Sequence, residues 1–356
     1  MLDQPILVTG GAGFVGRHLV RELLDRGARE IWIIDDFSTG IAPERWLSNA
    51  WTKSTHDDIE RFSKDSHTIN VVQADAWNLF HDLAYGKEVV ALPQFGSIFH
   101  LASIVGGRAL IEGDPIMVAK DLGIDAAFFL WITRHPETTG RVLYASSSAA
   151  YPIHLQGEDG ALALREDHID FGPSLGVPDL TYGWSKLTGE FLAQLAHKKY
   201  GIKIASVRPF SGYGEDQDLT YPTPSIALRV ARGDDPIEVW GTGEQGRDFV
   251  HIDDCVSAFF SILESVEDGS GINIGSGTLT SFNQLIERML AIEERSAKIQ
   301  PLSDKPVGVS KRYADMTHAF EKTGWEPAIG LDDGLRRVLR GAHERLAGRE
   351  LPFEIV

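Results

Sequence analysis

One run near the start of the chain constrains the fold more than any other. Ile6-Leu7-Val8-Thr9 passes directly into Gly10-Gly11-Ala12-Gly13-Phe14-Val15-Gly16. The glycines at 10, 13 and 16 permit a tight turn, a close approach of backbone to a ligand, and close packing of a helix on a strand. After them, Val15, Leu19, Val20, Leu23 and Leu24 recur at helical spacing, and Gly27 sits where a C-terminal cap is needed. The apolar run Ile31–Ile34 follows as a second strand. A strand, a glycine turn, a helix and a second strand form a βαβ unit, and the helix N-terminus is suited to hold a pyrophosphate.

The alternation continues. Ile69–Gln73, Ser97–Leu101, Val142–Ala145 and Ile202–Val207 read as further strands, mostly continuous apolar runs as expected for strands buried on both faces. This predicts an α/β fold with a Rossmann-type doubly wound parallel sheet. The texture changes after Pro209. A loop-like segment 212–223, an apolar-periodic stretch Ile226–Ala231, a strand Ile237–Trp240 and helices over Phe282–Ala291 and Leu331–Leu346 read as a smaller, discontinuous C-terminal substrate lobe. The expected division is residues 1–208, with about 247–256 returning, for dinucleotide binding. Residues 209–246 and 257–356 are assigned to the lobe.

Asp35 stands at the end of the second strand, 19 positions after Gly16. A carboxylate there accepts hydrogen bonds from both adenosine ribose hydroxyls and repels a 2′-phosphate, which favours NAD over NADP. Asp36 competes for this role. Phe14 and Val15 inside the glycine run, with Ser38 and Gly40 after the acids, complete the expected first half of the cofactor site.

Tyr182 and Lys186 form a YxxxK pair that opens a helix running to about Tyr200. Four residues on a helix place both side chains on one face. A free tyrosine titrates near pH ~10. The lysine ammonium and a nicotinamide cation are both expected to favour phenolate, so Tyr182 can take a proton as hydride leaves a substrate carbon.

Gly10–Gly16, Asp35, Ser146–Tyr151, Tyr182 with Lys186, and Arg208-Pro209-Phe210 together resemble the extended short-chain dehydrogenase/reductases. The likeness spans nearly the whole chain. It implies a tightly held NAD, transient oxidation of a nucleotide-linked sugar, and return of hydride in the same site. It also implies roles for residues at matching positions. Ser147 resembles the hydroxyl that bonds the reacting oxygen, with Ser146 and Ser148 as alternatives. Asp75 and Ala76 match the adenine position. Leu101, Ala102 and Ser103 match the strand end that passes along the cofactor, and Pro209 lies beside the nicotinamide.

Within these enzymes the pattern is most similar to the GDP-mannose 3,5-epimerase group. It carries Val105-Gly106-Gly107, Trp240-Gly241-x-Gly243-Glu244-Gln245, Arg247-x-Phe249 and Arg312-x-x-Asp315. Arg247 and Arg312 resemble the arginines that grip the nucleotide diphosphate, a task suited to a planar donor fork. Gly106, Gly107 and Arg108 resemble a sugar-facing loop, with Arg108 either recognising a carboxylate or phosphate or simply solvated. Trp240, Ser148 and Ser211 complete the implied substrate set.

Departures from the pattern narrow the chemistry. Ala149 stands where 3,5-epimerases carry an acid/base cysteine, and no lysine counterpart lies within Leu219–Pro224. Ser148-Ala149 replaces the Asp-Glu of 4,6-dehydratases, and the decarboxylase glutamate is absent at Ala149. Asp121 occupies a usual asparagine position, and Ser211 replaces another asparagine. Epimerisation at C4 remains, since it needs only Tyr182, Lys186, Ser147 and NAD. A net C4 dehydrogenase or reductase, a 3,5-epimerase or dehydratase relative, and a non-catalytic dinucleotide-binding protein are the competing readings.

The formal net charge of -17 argues against nucleic acid or an anionic membrane as the main partner. No apolar run approaches the roughly 18–20 residues of a spanning helix. Cys255 is the only cysteine, consistent with a cytoplasmic enzyme. No metal is called for. A homodimer is expected, with the apolar positions of 119–131 and 187–196 forming either its interface or core.

Overall fold

A computed structural model describes residues 2–106, 108–157, 162–349 and 351–356. Among the described residues, nine strands form one sheet. From one edge its order is Asp268–Ile274, Ile204–Pro209, Thr139–Ala145, Phe95–His100, Ile6–Thr9, Glu30–Asp35, His67–Gln73, Ile59–Lys64 and Thr52–His56. The first seven run parallel, and the last two form an antiparallel hairpin on the edge. All six strand expectations of the first two-thirds fall within this sheet.

Alternation along the strands builds two cores. Ile6, Val8, Ile31 and Ile33 face one side, with helices Phe14–Asp25 and Ile252–Ser265. Leu7, Trp32 and Ile34 face the other, with helices Ala76–Ala84 and Lys120–Arg134. Apolar residues are required on both sides because both faces are covered. The chain reverses its direction of travel across the sheet at Ile6–Thr9, so a crevice opens at the carboxyl ends of this strand and Phe95–His100.

A separate core lies beyond that crevice. Ile226 and Val230 of helix Pro222–Arg232 pack with Val239, Phe249, Leu285, Met289, Leu335 and Leu339. The assignment of 257–274 to this lobe needs correction. Helix Ile252–Ser265 packs on the large sheet, and Asp268–Ile274 pairs in parallel with Ile204–Pro209 as its edge strand. The physical reason is burial: Ile272 and Ile274 are fully enclosed in the sheet core. Residues near the C-terminus return as well, with Phe353 and Ile355 joining that core. The return expected over about 247–256 holds in part: Val250, Ile252, Cys255 and Val256 join the core of the large sheet, while strand Gly246–His251 pairs with Ser211–Tyr213, Leu279–Ser281 and Lys311–Arg312 rather than with that sheet.

Candidate active site

The crevice between sheet and lobe holds a cavity of about 780 Å³, the size expected for small-molecule sites. Gly10, Gly13, Phe14, Val15 and Gly16 line its floor. The three glycines act differently. Gly10 has φ +68°, and a Cβ there would meet the Ala102 backbone at 2.9 Å. At Gly16 a Cβ would lie 2.3 Å from the Gly10 carbonyl oxygen, so only glycine lets the helix sit on the turn. At Gly13 the nearest protein atom would be 3.2 Å away, so its bare Cα mainly leaves room on the cavity side. Gly13 caps helix Phe14–Asp25 with no side-chain bond, and Phe14, Val15 and Gly16 of its first turn, whose N–H groups have no intrahelical acceptor, line the cavity.

Asp35 is 8% exposed and lines the same cavity. Its oxygens accept from the Ala12 N–H at 3.0 Å and the Phe37 N–H at 2.9 Å. Burial pushes its carboxyl up, against these two bonds. A carboxylate has further lone pairs free for ribose hydroxyls. Asp36 accepts from Ser38, and both line the cavity, so the competing acid is also present there. Gly40 does not line it. Its Cβ would strike Asp35 Oδ1 at 2.6 Å, so Gly40 lets the loop close behind Asp35 rather than touching a ligand. Asp75 caps helix Ala76–Ala84 through the Asn78 N–H and pairs with Lys120. Asp75, Ala76, Leu101, Ala102, Ser103 and Pro209 all line the cavity. These residues fit NAD along the floor: an open helix N-terminus for pyrophosphate, and a carboxylate for ribose.

Tyr182 and Lys186 enter from helix Leu180–Tyr200. Lys186 Nζ lies 5.7 Å from the Tyr182 ring centroid and 5.5 Å from that of Tyr144. Ser147 sits beside Tyr182 in the cavity wall, and its Oγ accepts from the Ala149 N–H at 3.1 Å. Burial pushes the Tyr182 phenol up, and Asp121 and Asp125 add to that, while Lys186 and Ser147 pull the other way. The net direction is upward. The expected depression from lysine is present but is outweighed by burial in the protein alone. Burial also acts against the Lys186 cation, yet Asp125, Tyr182 and Asp121 raise it, so it stays charged.

Asp121, at the usual asparagine position, is 1% exposed. It accepts from Ser103 Oγ at 2.7 Å and from the Ile104 N–H. Burial pushes it up to about 6. Behind it, Asp125 accepts from Tyr144 Oη at 2.6 Å and contacts His100 Nε2 at 3.2 Å. Asp121 was singled out from sequence, but Asp125 and the network behind it were not, because four residues apart on a helix the two look like a polar face.

On the substrate side, Gly106, Ser147, Ser148, Ala149, Ser211, Trp240, Arg247 and Arg312 all line the cavity. Gly107 and the Arg108 side chain lie outside the described residues. Arg247 donates to the carbonyls of Gly246 and Val307. Arg312 donates to Gln156 and, at 2.9 Å, to Asp179. That pair is enclosed, with 12% and 8% side-chain exposure, so it is no surface salt bridge. Asp179, Tyr221 and Arg229 line the cavity too and were not singled out from sequence. For Arg229 a signal existed: 222, 225, 226 and 229 share one helical face.

Comparison with known proteins is consistent with this arrangement. The model of the family described as "NAD dependent epimerase/dehydratase family" matches residues 6–275. Over 335 residues the chain is 28% identical to GDP-mannose 3,5-epimerase 1 of Oryza sativa subsp. indica, covering 93% of this chain and 79% of the rice protein. It is 30% identical over 336 residues to an uncharacterized UDP-glucose epimerase of Bacillus subtilis, covering 93% and 95%. Among solved structures, it is similar to UDP-glucuronic acid 4-epimerase of Bacillus cereus in complex with UDP-glucuronic acid and NAD, with TM-score 0.74, 25% identity, and coverage of 96% and 99%.

Proposed function

The chain belongs to the NAD-dependent epimerase/dehydratase family, and we propose that it inverts C4 of a nucleotide-diphosphate sugar. One observation carries the choice of reaction. Beside Tyr182 the cavity wall is Ser147-Ser148-Ala149, and Ala149 offers no acid or base for elimination or for proton exchange next to a ketone.

NAD, when bound, supplies the acceptor and then the donor of hydride. Tyr182 takes the proton of the C4 hydroxyl as the C4–H bond breaks, and later returns it to the opposite face's alkoxide. Lys186 favours the phenolate against burial, and Ser147 orients both phenol and substrate oxygen. The diphosphate is held by Arg247 and Arg312 while the 4-keto sugar turns over. The likeness to a UDP-glucose epimerase and to the solved UDP-glucuronic acid 4-epimerase supports this reading.

Incubation of NAD-loaded protein with UDP-, GDP- and dTDP-sugars, followed by NMR, tests it. The expected result is a C4 epimer with no lasting change in nicotinamide absorbance. Stoichiometric NADH formation would instead mark a net dehydrogenase, and no C4 epimer from any sugar overturns the reading.

We propose a cytoplasmic homodimer. No helix among the described residues is long and apolar enough to cross a membrane. In the two expected interface helices, Ile124, Phe128, Leu187 and Ala193 are core, but Trp184 and Phe191 are 44% and 43% exposed. Light scattering should give a dimer that Trp184→Glu dissociates; a monomeric native protein overturns this.

A further inference from the structure

Helix Pro222–Arg232 forms one wall of the cavity through Pro222, Ser225, Ile226 and Arg229. Its N-terminal end stands on the side of the catalytic centre, where Tyr221 and Pro222 line the same cavity as Tyr182. Arg229 is eight residues further along. At 1.5 Å per residue that is about 12 Å, farther than a hexose ring extends from the reacting carbon. There Arg229 shares the cavity with Val239 and Trp240.

Arg17 and Arg345 also enclose an unpartnered Nε, but both donate through their other nitrogens, whereas the guanidinium of Arg229 makes no side-chain hydrogen bond among the described residues. It is half-buried, and its Nε is enclosed without a hydrogen-bond partner. Among the described residues it has no ion pair; Glu238 and Asp234 act on it only through their charge. Nearby arginines are satisfied: Arg232 pairs with Asp234, and Arg295 donates to the Val230 carbonyl. A partly desolvated cation with open donors is costly. Its orientation into a cavity supplies a reason to keep it.

We propose that Arg229 is a substrate-binding residue whose donor fork grips a pair of acceptor atoms in the nucleotide half of the sugar nucleotide. This rests on the reading that the cavity holds a nucleotide sugar. A guanidinium donates only and matches paired acceptors in one plane. Two parts of a nucleotide present them: the diphosphate oxygens, and the O6/N7 edge of guanine.

Calorimetric titration of NAD-loaded protein with GDP, UDP and inorganic pyrophosphate tests the proposal. Wild type should bind the nucleotides. Arg229→Ala should bind at least one of them about tenfold more weakly or worse, equivalent to about 1.4 kcal/mol. NAD content and thermal midpoint should stay unchanged, since Arg229 supports no other side chain. Weakening of all three ligands assigns the contact to phosphate. Weakening confined to GDP assigns it to the guanine edge. Equal affinities of wild type and variant overturn the role of Arg229 while leaving the cavity reading intact. Failure of wild type to bind any nucleotide overturns both. If Arg229→Ala does not fold, Arg229→Lys decides: it keeps the charge but loses the fork, so undiminished affinity in that variant overturns the proposal.

Discussion

Asp121→Asn should change how stability depends on pH. Asp121 is buried at 1% exposure beside Lys186, and burial raises its carboxyl from the ordinary 3.8 to about 6. A raised acid contributes stability below its unfolded pKa and loses it as pH rises through the folded one. The interval from 3.8 to about 6, at about 1.36 kcal/mol per pH unit, corresponds to a cost of about 3 kcal/mol at pH ~8. At pH ~5 about half of it has already appeared, leaving roughly 1.4 kcal/mol to accrue between pH ~5 and ~8. Asparagine cannot ionise, so the variant should gain about this much relative to wild type across that window. It also loses an acceptor for Ser103 or Ile104. That loss does not depend on pH and cancels in the difference. Urea unfolding of both proteins at the two pH values measures it. Parallel stability curves for wild type and variant would refute the reasoning. The same substitution removes a carboxylate that raises Tyr182, so the acid limb of the activity profile should move to lower pH.

Three further outcomes follow from the geometry. Tyr182→Phe should retain fold and NAD binding while kcat falls by about 10²–10⁴; near-normal turnover would remove Tyr182 from proton transfer. Gly16→Ala places a Cβ 2.3 Å from the Gly10 carbonyl, so NAD affinity and thermal stability should fall together, as read by cofactor content and calorimetry. Glu190→Gln removes the charge partner of Arg208, both fully enclosed and 2.7 Å apart. Leaving Arg208 buried without its anion should cost about 3–5 kcal/mol in denaturant unfolding.

The sequence alone determined the parts whose signal is local. Glycines at 10, 13 and 16 after an apolar run dictate a strand, a turn and a helix, because backbone sterics act over a few residues. Tyr182 and Lys186 share a face because a helix repeats every 3.6 residues. Apolar runs revealed the buried parallel strands. The edge hairpin Thr52–Lys64 escaped because its outer strand is exposed throughout and carries no apolar pattern. The placement of Asp268–Ile274 in the large sheet also escaped, since pairing with Ile204–Pro209 is a contact between distant parts of the chain.

The tertiary structure alone decided which charges become chemistry. Sequence placed Asp121 at a usual asparagine position and did not single out Asp125; only folding buries both beside Lys186. Arg229 shares a helical face with 222, 225 and 226, but only the packing of the lobe makes that face a wall of the cavity. Burial depends on the whole chain, and burial sets what each charge costs and which partner it needs. The glycine turn that began the chain therefore fixed where the cofactor lies, while the packing of the lobe against the sheet fixed what can react above it.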